Sequence, residues 1–261
     1  PIKLDAVRFF GLDVHLPVFL FTSGLTILFS SLVLIFPEAS TQFLSDSRNF
    51  VVSRFDTLFT VSMSAFVFII LFLIISPFGK IRLGGEGSKP EFGFFSWVCM
   101  LFAAGVGIGM TFYGAAEPLS YYTGVFGTPL GVTPGTEEAY RLAFSATIFH
   151  WGISGWSVYA IIGLSLAFFS YNWNLPLTIR SIFYPLLGDK IWSWQGDVID
   201  IIAVLATLFG LATSLGLGAQ QAASGLLYLF DLPNNILSQT LIIIFITAVA
   251  IFSVFRGLDK G

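Results

Sequence analysis

The sequence predicts an all-α integral membrane protein with six transmembrane helices. Three observations carry this. Of the 261 residues, 56% are hydrophobic and only 10% are charged, with a mean hydropathy of +0.87; ordinary soluble domains are about 25% charged. Six stretches without Asp, Glu, Lys or Arg are each long enough to cross the ~30 Å hydrocarbon core, which takes about 20 helical residues. The alternating pattern of a barrel strand is absent from them, and lipid offers no partner for an irregular backbone, so the spans read as helices.

Taken in order, the first span covers residues 16–36 and the second 57–78, with a polar outer loop, 38–56, between them. The first run is too long for a signal peptide and lacks a small-residue cleavage pattern. A Gly-rich, mostly basic inner segment, 79–91, leads to the third span, 92–116. That span closes on AGVGIGMTFYGAAEP, residues 104–118, where Gly105, Gly107 and Gly109 alternate and Gly114 and Pro118 follow. The outer segment 117–138 carries Glu117, Glu137 and Glu138, and Glu117 is read as a helix-end or loop residue at the interface. The fourth span, 142–171, is rich in aromatics. The inner segment 172–200 holds Trp173, Trp192 and Trp194, which suit an interfacial belt or a short helix lying on the membrane. The fifth run, 201–230, is too long for one straight span, and its second half, 216–230, is expected to bend or lie re-entrant. The sixth covers 232–255. No internal repeat is found.

Orientation follows from the 12 lysines and arginines. With the amino end inside, the inner segments hold Lys3, Arg8, Lys80, Arg82, Lys89, Arg180, Lys190, Arg256 and Lys260. The outer segments hold only Arg48, Arg54 and Arg141, a clear positive-inside bias. The net charge of -3 adds little, because charge in a membrane protein matters by location. The single cysteine, Cys99, excludes an intrachain disulfide and any CxxC motif. Two histidines, His15 and His150, are too few for a His-rich metal site. Nothing resembles a P-loop, a zinc motif or a Ser/His/Asp arrangement, and no cofactor or nucleic-acid partner is expected. The chain opens at Pro1 and closes in a polar turn at Gly261, and is read as a fragment.

Four features carry candidate chemistry. In FHWGISGWSVY, a regular helix at 100° per residue places Trp151, Trp156 and Tyr159 at about 0°, 140° and 80°, on one broad arc. Such an arc suits a quaternary ammonium, which has no N–H to donate and is held by cation–π attraction and dispersion; it equally suits helix–helix packing by bulky aromatics. The glycine stretch suits an opened helix whose freed N–H groups hold a carboxylate and whose carbonyls hold Na⁺. It equally suits close packing, since Gly105 and Gly109 form a GxxxG pair. Thr207 and Ser214, seven residues apart, share a face with hydroxyls that complete a Na⁺ shell or bond neighbouring backbone. His150 is a proton relay or a packing histidine, and no carboxylate is expected deep in a span.

Several stretches together resemble the betaine/choline/carnitine transporter family: GVGIGMTFYGAAEPLSYY (105–122), FHWGISGWSVYA (149–160), RSIFYPLLGDKIW (180–192), DVIDIIAVLATLFGLATSLGLGAQQ (197–221) and the closing GLDKG. The likeness runs from about residue 92 to the end; the first two spans match only as the family's two extra amino-terminal helices. It implies a leucine-transporter-like core of two inverted repeats. Residues 1–91 are then two peripheral helices and loops, and 92–261 the first four core helices, with the second repeat absent. The implied aromatic box carries over to Trp151, Trp156 and Tyr159. Gly105, Gly107 and Gly109 match the unwound segment of the first core helix, where backbone around Ala103 and Val106 holds one Na⁺. Thr207 matches a hydroxyl ligand of a second Na⁺. Some sodium-coupled members carry Thr one turn later, where this chain has Leu211. Choline-type members tend to carry Asp where this chain has Gly109, so a substrate bringing its own carboxylate fits better.

The resulting expectation is a secondary transporter of the inner membrane, amino end cytoplasmic, importing a zwitterionic quaternary-ammonium or sulfonium solute with Na⁺ as coupling ion. Glycine betaine and dimethylsulfoniopropionate are the substrates expected, and a homotrimer in the bilayer is implied by the resemblance. The rivals are a proton-coupled choline or carnitine-type transporter and, in another class, a non-transporting membrane partner subunit. A membrane enzyme would need ionisable groups converging within the spans, and a channel would need a charge ring or filter sequence.

Overall fold

The structure, a computed structural model, describes residues 6–9, 12–105, 107–125 and 127–256. In chain order the helices are α1 (Leu16–Ile35), α2 (Pro37–Ile75), α3 (Phe94–Gly105), α4 (Ile108–Thr123), α5 (Glu137–Phe149), α6 (Gly155–Ala167), α7 (Ile179–Ile182), α8 (Tyr184–Leu187), α9 (Trp194–Phe230) and α10 (Ile236–Arg256). Among the described residues, five helical stretches are long and apolar enough to cross a membrane: α1, α2, the run Glu137–Asn172, α9 and α10. The third expected span is instead two consecutive helices, α3 and α4. At 12 residues and ~1.5 Å per residue, α3 falls short of the ~30 Å core on its own. The chain groups into two compact units, Pro1–Pro90 with Phe149–Ala206 and Glu91–Ile148 with Thr207–Gly261.

In the first unit the all-α expectation has one exception. Ala6–Phe9 (β1) and Leu12–His15 (β2) pair as an antiparallel hairpin, with Ala6 opposite His15 and Arg8 opposite Asp13. The alternating LDVH sequence of β2 fits a strand period of two. α1 and α2 meet at Phe36, whose N–H reaches Leu32 O at 2.8 Å. The segment 38–56, expected as a loop, is helical and forms the first half of α2. Its polar residues suit a loop, but no Gly or Pro interrupts the chain between Pro37 and Pro77, so the helix continues through them. Glu38 suits the positive end of the helix, and Gln42 bonds Asp46 one turn on at 3.0 and 2.9 Å. The helix stops at Ile75, short of the expected 78, because Ser76 precedes Pro77 and is extended (ψ 164°). α2 packs along α6, and Asn172 ties the end of the fourth span to the inner segment through Arg82 O (3.1 Å) and Gly84 N (3.0 Å). Within the inner segment 172–200, short helical pieces occupy 179–192, and the long helix α9 already begins at Trp194.

In the second unit α4 continues through Pro118 to Thr123 and ends at Gly124 in the left-handed conformation (φ 74°). Glu117 is therefore inside a helix and buried (8% exposed), not a loop residue. Pro118 removes the N–H that would bond Gly114 O, a loss that membrane helices tolerate; two residues on, Ser120 Oγ donates to Ala116 O at 2.7 Å. α5 opens with Thr136, whose Oγ1 accepts from Ala139 N–H at 3.2 Å, and with Glu137 and Glu138 in the first turn. α9 runs unbroken to Phe230, so the expected bend or re-entrant turn over 216–230 is corrected: its glycines are absorbed in a continuous helix. α10 starts at Ile236 rather than 232, because Pro233 precedes a reciprocal cap in which Asn235 and Ser238 each accept the other's N–H at 3.0 Å.

Candidate functional site

The aromatic residues lie in the first unit. Trp156 and Tyr159 sit one turn apart on α6 with ring centroids 5.5 Å apart and planes tilted by 38°. Trp156 is 39% exposed and Tyr159 72% exposed, so within the chain both rings have open faces. Trp151 lies before α6, paired with His150 at 5.5 Å between centroids. The regular arc expected for the three residues is corrected here. His150–Ser154 is a π-helical turn, and Gly152 leaves helical geometry altogether (φ -80°, ψ -141°). Counting 100° per residue from Trp151 to Trp156 therefore fails. Gly155 makes the turn feasible, since a Cβ there would stand 3.1 Å from His150 O. Such π turns in a helix frequently mark functional sites.

The glycine stretch lies in the second unit, and it is a break. α3 ends at Gly105. Gly107 is extended (φ -87°, ψ -176°) and caps α4 without a side-chain hydrogen bond, and Gly109 falls in the first turn of α4. Thr111 N–H reaches back to Gly107 O at 3.2 Å, the first bond of the new helix. The last carbonyls of α3 and the first N–H groups of α4 thus lack intrahelical partners, one set suited to a cation and the other to an anion. Ala103 lies in the last turn of α3, where a backbone carbonyl is free of the helical ladder. Val106 lies outside the described residues. Thr207 is exposed on α9, with Leu211 one turn later and also exposed. Thr213 Oγ1 bonds its own helix at Phe209 O (2.9 Å).

One polar cluster was not foreseen. Arg180 on α7 is fully buried. Its Nε donates to Asp200 Oδ2 at 2.6 Å, its Nη2 to Asp197 Oδ1 at 2.8 Å, and its backbone N–H to Asp200 Oδ1 at 3.0 Å. Nη1 reaches Ile191 O at 3.3 Å. His15 Nε2 adds a contact to Asp197 Oδ1 at 2.7 Å. Gly196 lets α9 start this close: a Cβ there would stand 1.8 Å from Ile191 O. The signal in the sequence was Asp197 and Asp200, three apart on one helix face, behind a single upstream arginine.

The chain is similar to curated transporters, among them the following three. Glycine betaine transporter 1 of Vibrio parahaemolyticus is 50% identical over 258 residues, covering 98% of this chain and 49% of that protein. Glycine betaine transporter OpuD of Bacillus subtilis is 45% identical over 225 residues, covering 86% and 43%. The high-affinity choline transport protein of Escherichia coli K12 is 41% identical over 246 residues, covering 94% and 36%. The model of the betaine/carnitine/choline family transporters matches residues 17–261. The chain belongs to this family. The match includes α1 and α2 as well as the region that carried the resemblance. Members of the family are transporters, not enzymes, and with its five long apolar helices this betaine/carnitine/choline-family chain is a multi-pass membrane protein. It spans about half or less of the length of the curated relatives it matches.

Proposed function

We propose that this chain is the amino-terminal part of a secondary transporter of the inner membrane that imports a zwitterionic onium solute, glycine betaine or dimethylsulfoniopropionate, together with Na⁺. The observation that carries the reading is the interruption of the third span at Gly105–Gly107, in a chain whose fourth span carries open-faced Trp156 and Tyr159. The onium group is held by the faces of Trp151, Trp156 and Tyr159, each ring contributing about 0.5–2 kcal/mol. Carbonyls at the end of α3, around Ala103 and Val106, coordinate Na⁺, which stabilises the opened backbone and so couples ion to solute. Thr207 supplies a hydroxyl to a second Na⁺, and Leu211 leaves that second shell one hydroxyl poorer than in members with Thr there. Gly109 leaves the first turn of α4 without a carboxylate, so a solute bringing its own is favoured over choline. Residues 1–91 are peripheral, 92–261 belong to the core, the amino end is cytoplasmic and the assembly is a trimer.

Titration of the purified full-length protein tests this, with solute binding followed by tryptophan fluorescence in NaCl and in KCl. The reading predicts tighter binding of glycine betaine in Na⁺ than in K⁺, and weaker binding of choline. Equal affinities in both salts would remove the coupling role of the α3 end. Choline binding as tight as betaine would favour the choline-type alternative suggested by the Escherichia coli relative.

A further inference from the structure

Within the first unit, where α2 and the fourth span end, the chain builds an open apolar groove of about 280 Å³. It is lined by Leu73 of α2, by Phe78, Ile81 and Leu83 of the segment that follows, and by Phe168 and Phe169 of the fourth span; Ser165 is the one polar residue in its wall. Local sequence holds the groove in place. After the turn at Pro77–Lys80 the chain closes back on α2: the Phe78 ring lies 6.2 Å from that of Phe72, and a Cβ at Gly79 would stand 2.5 Å from Leu73 O. Asn172 straps the same segment to the fourth span through Arg82 O and Gly84 N. Phe168–Asn172 is itself a π-helical turn, a widening that frequently marks a functional site. Phe78 and Ile81 remain half exposed, so the groove presents apolar surface that calls for a cover.

Two observations identify the cover. The rim of the groove lies at headgroup level: α2 ends at Ile75 and the fourth span at Asn172, and Trp173, 48% exposed, meets Phe169 at 5.5 Å and Phe168 at 6.4 Å between ring centroids. Tryptophan gathers where hydrocarbon meets water. The rim is also basic. Lys80 and Arg82 alternate in sequence with Ile81 and Leu83, both are exposed, and among the described residues no carboxylate pairs with either. Arg82 Nη1 donates to Glu86 O at 2.7 Å, which fixes the guanidinium against this segment. Farther along, Lys89 offsets one of Glu86 and Glu91, so residues 79–91 keep a net positive charge. We infer that the groove binds an anionic phospholipid of the cytoplasmic leaflet, one acyl chain lying against Leu73, Phe78, Phe168 and Phe169 and the phosphate on Lys80 and Arg82. Bases at the membrane surface attract anionic lipid. Phosphatidylcholine carries a cation of its own beside the phosphate, so it fits the groove but not the charge. The choice of leaflet rests on the positive-inside orientation; the transported solute and the coupling ion do not enter.

Native mass spectrometry of the delipidated full-length protein in detergent tests this, with phosphatidylglycerol and phosphatidylcholine of the same acyl chains as probes. One phosphatidylglycerol should bind about tenfold or more tightly than phosphatidylcholine. Lys80→Gln combined with Arg82→Gln, both at exposed positions, should remove that preference. Lys80→Arg combined with Arg82→Lys keeps the charge and should retain it. Ser165→Phe fills the groove, leaves the bases intact and should lose the tightly held lipid while gel filtration still shows the folded protein. Equal affinities for the two lipids would overturn the site. So would a preference that survives Lys80→Gln with Arg82→Gln, which would place the lipid elsewhere. Tight binding unchanged in Ser165→Phe would also overturn it, because the groove would then be filled by another part of the full-length chain.

Discussion

Trp156 and Tyr159 face outward from α6 in a helix that the chain itself covers only in part. An indole at membrane depth needs a partner for its N–H and a use for its face. Replacing Trp156 with Ala removes one ring from the onium group, and should weaken glycine betaine binding by about 1–2 kcal/mol, on the order of a tenfold loss or more. Isothermal titration of the full-length variant reads this directly; an unchanged Kd would separate Trp156 from the solute. Gly109 tests the other end of the substrate. Gly109→Asp places a carboxylate in the first turn of α4, where it competes with the solute's own. Betaine binding should weaken and choline binding strengthen, with their ratio shifting by about tenfold, the measure of ~1.4 kcal/mol. Arg180 is tested by stability, because it is fully buried and paired with Asp197 and Asp200. Arg180→Ala leaves Asp197 and Asp200 without their buried cation and should cost about 3–5 kcal/mol, seen as a lower Tm in detergent. Arg180→Lys should recover only part of it, because Nε and Nη2 each serve a different carboxylate. The aromatic and glycine positions were legible at this scale because their residue types are unusual in a span. The Arg180 pairing was not, since it joins residues 17 and 20 apart across short turns that no local pattern specifies.

The break between α3 and α4 is where element-level chemistry concentrates. Its cause is local: three alternating glycines weaken the helix, each by roughly 1 kcal/mol relative to Ala, and Gly107 turns extended. Changing Gly105, Gly107 and Gly109 together to Ala should favour a continuous helix and withdraw the carbonyls at the end of α3. The Na⁺ concentration giving half-maximal uptake should then rise by tenfold or more, while a change confined to the maximal rate would point to packing alone. This break was one of the two readings that the glycines offered in the sequence; the Thr136 cap of α5 was not read there. Nor was the π turn at His150–Ser154. A one-residue widening of a helix leaves composition untouched while shifting the register of the residues after it, and the structure shows it at Gly152, which leaves helical geometry. The first half of α2 was misread for the opposite reason. Its charges suggested a loop, whereas the informative signal was an unbroken run without Gly or Pro from 38 to 76.

At the scale of the whole molecule, the described helices bury little of themselves. The most apolar windows of the five spanning stretches are 0–6% buried, and most large side chains along them, such as Phe21, Ile75 and Phe245, face outward. Apolar surface on this scale belongs against lipid or other protein. The positive-inside bias fixes a topology to check. With the exposed Cys99 replaced by Ala, a cysteine at Ser88 should react with an impermeant thiol reagent only from the cytoplasmic side, and one at Thr133 only from outside. The reverse pattern would invert the orientation. The central claim, Na⁺-coupled import of a zwitterionic onium solute, is tested most directly by uptake of labelled glycine betaine into proteoliposomes containing the full-length protein. The account predicts concentrative uptake that requires an inward Na⁺ gradient and that excess dimethylsulfoniopropionate, but not choline, suppresses. Uptake indifferent to Na⁺, or driven by a proton gradient alone, would contradict it.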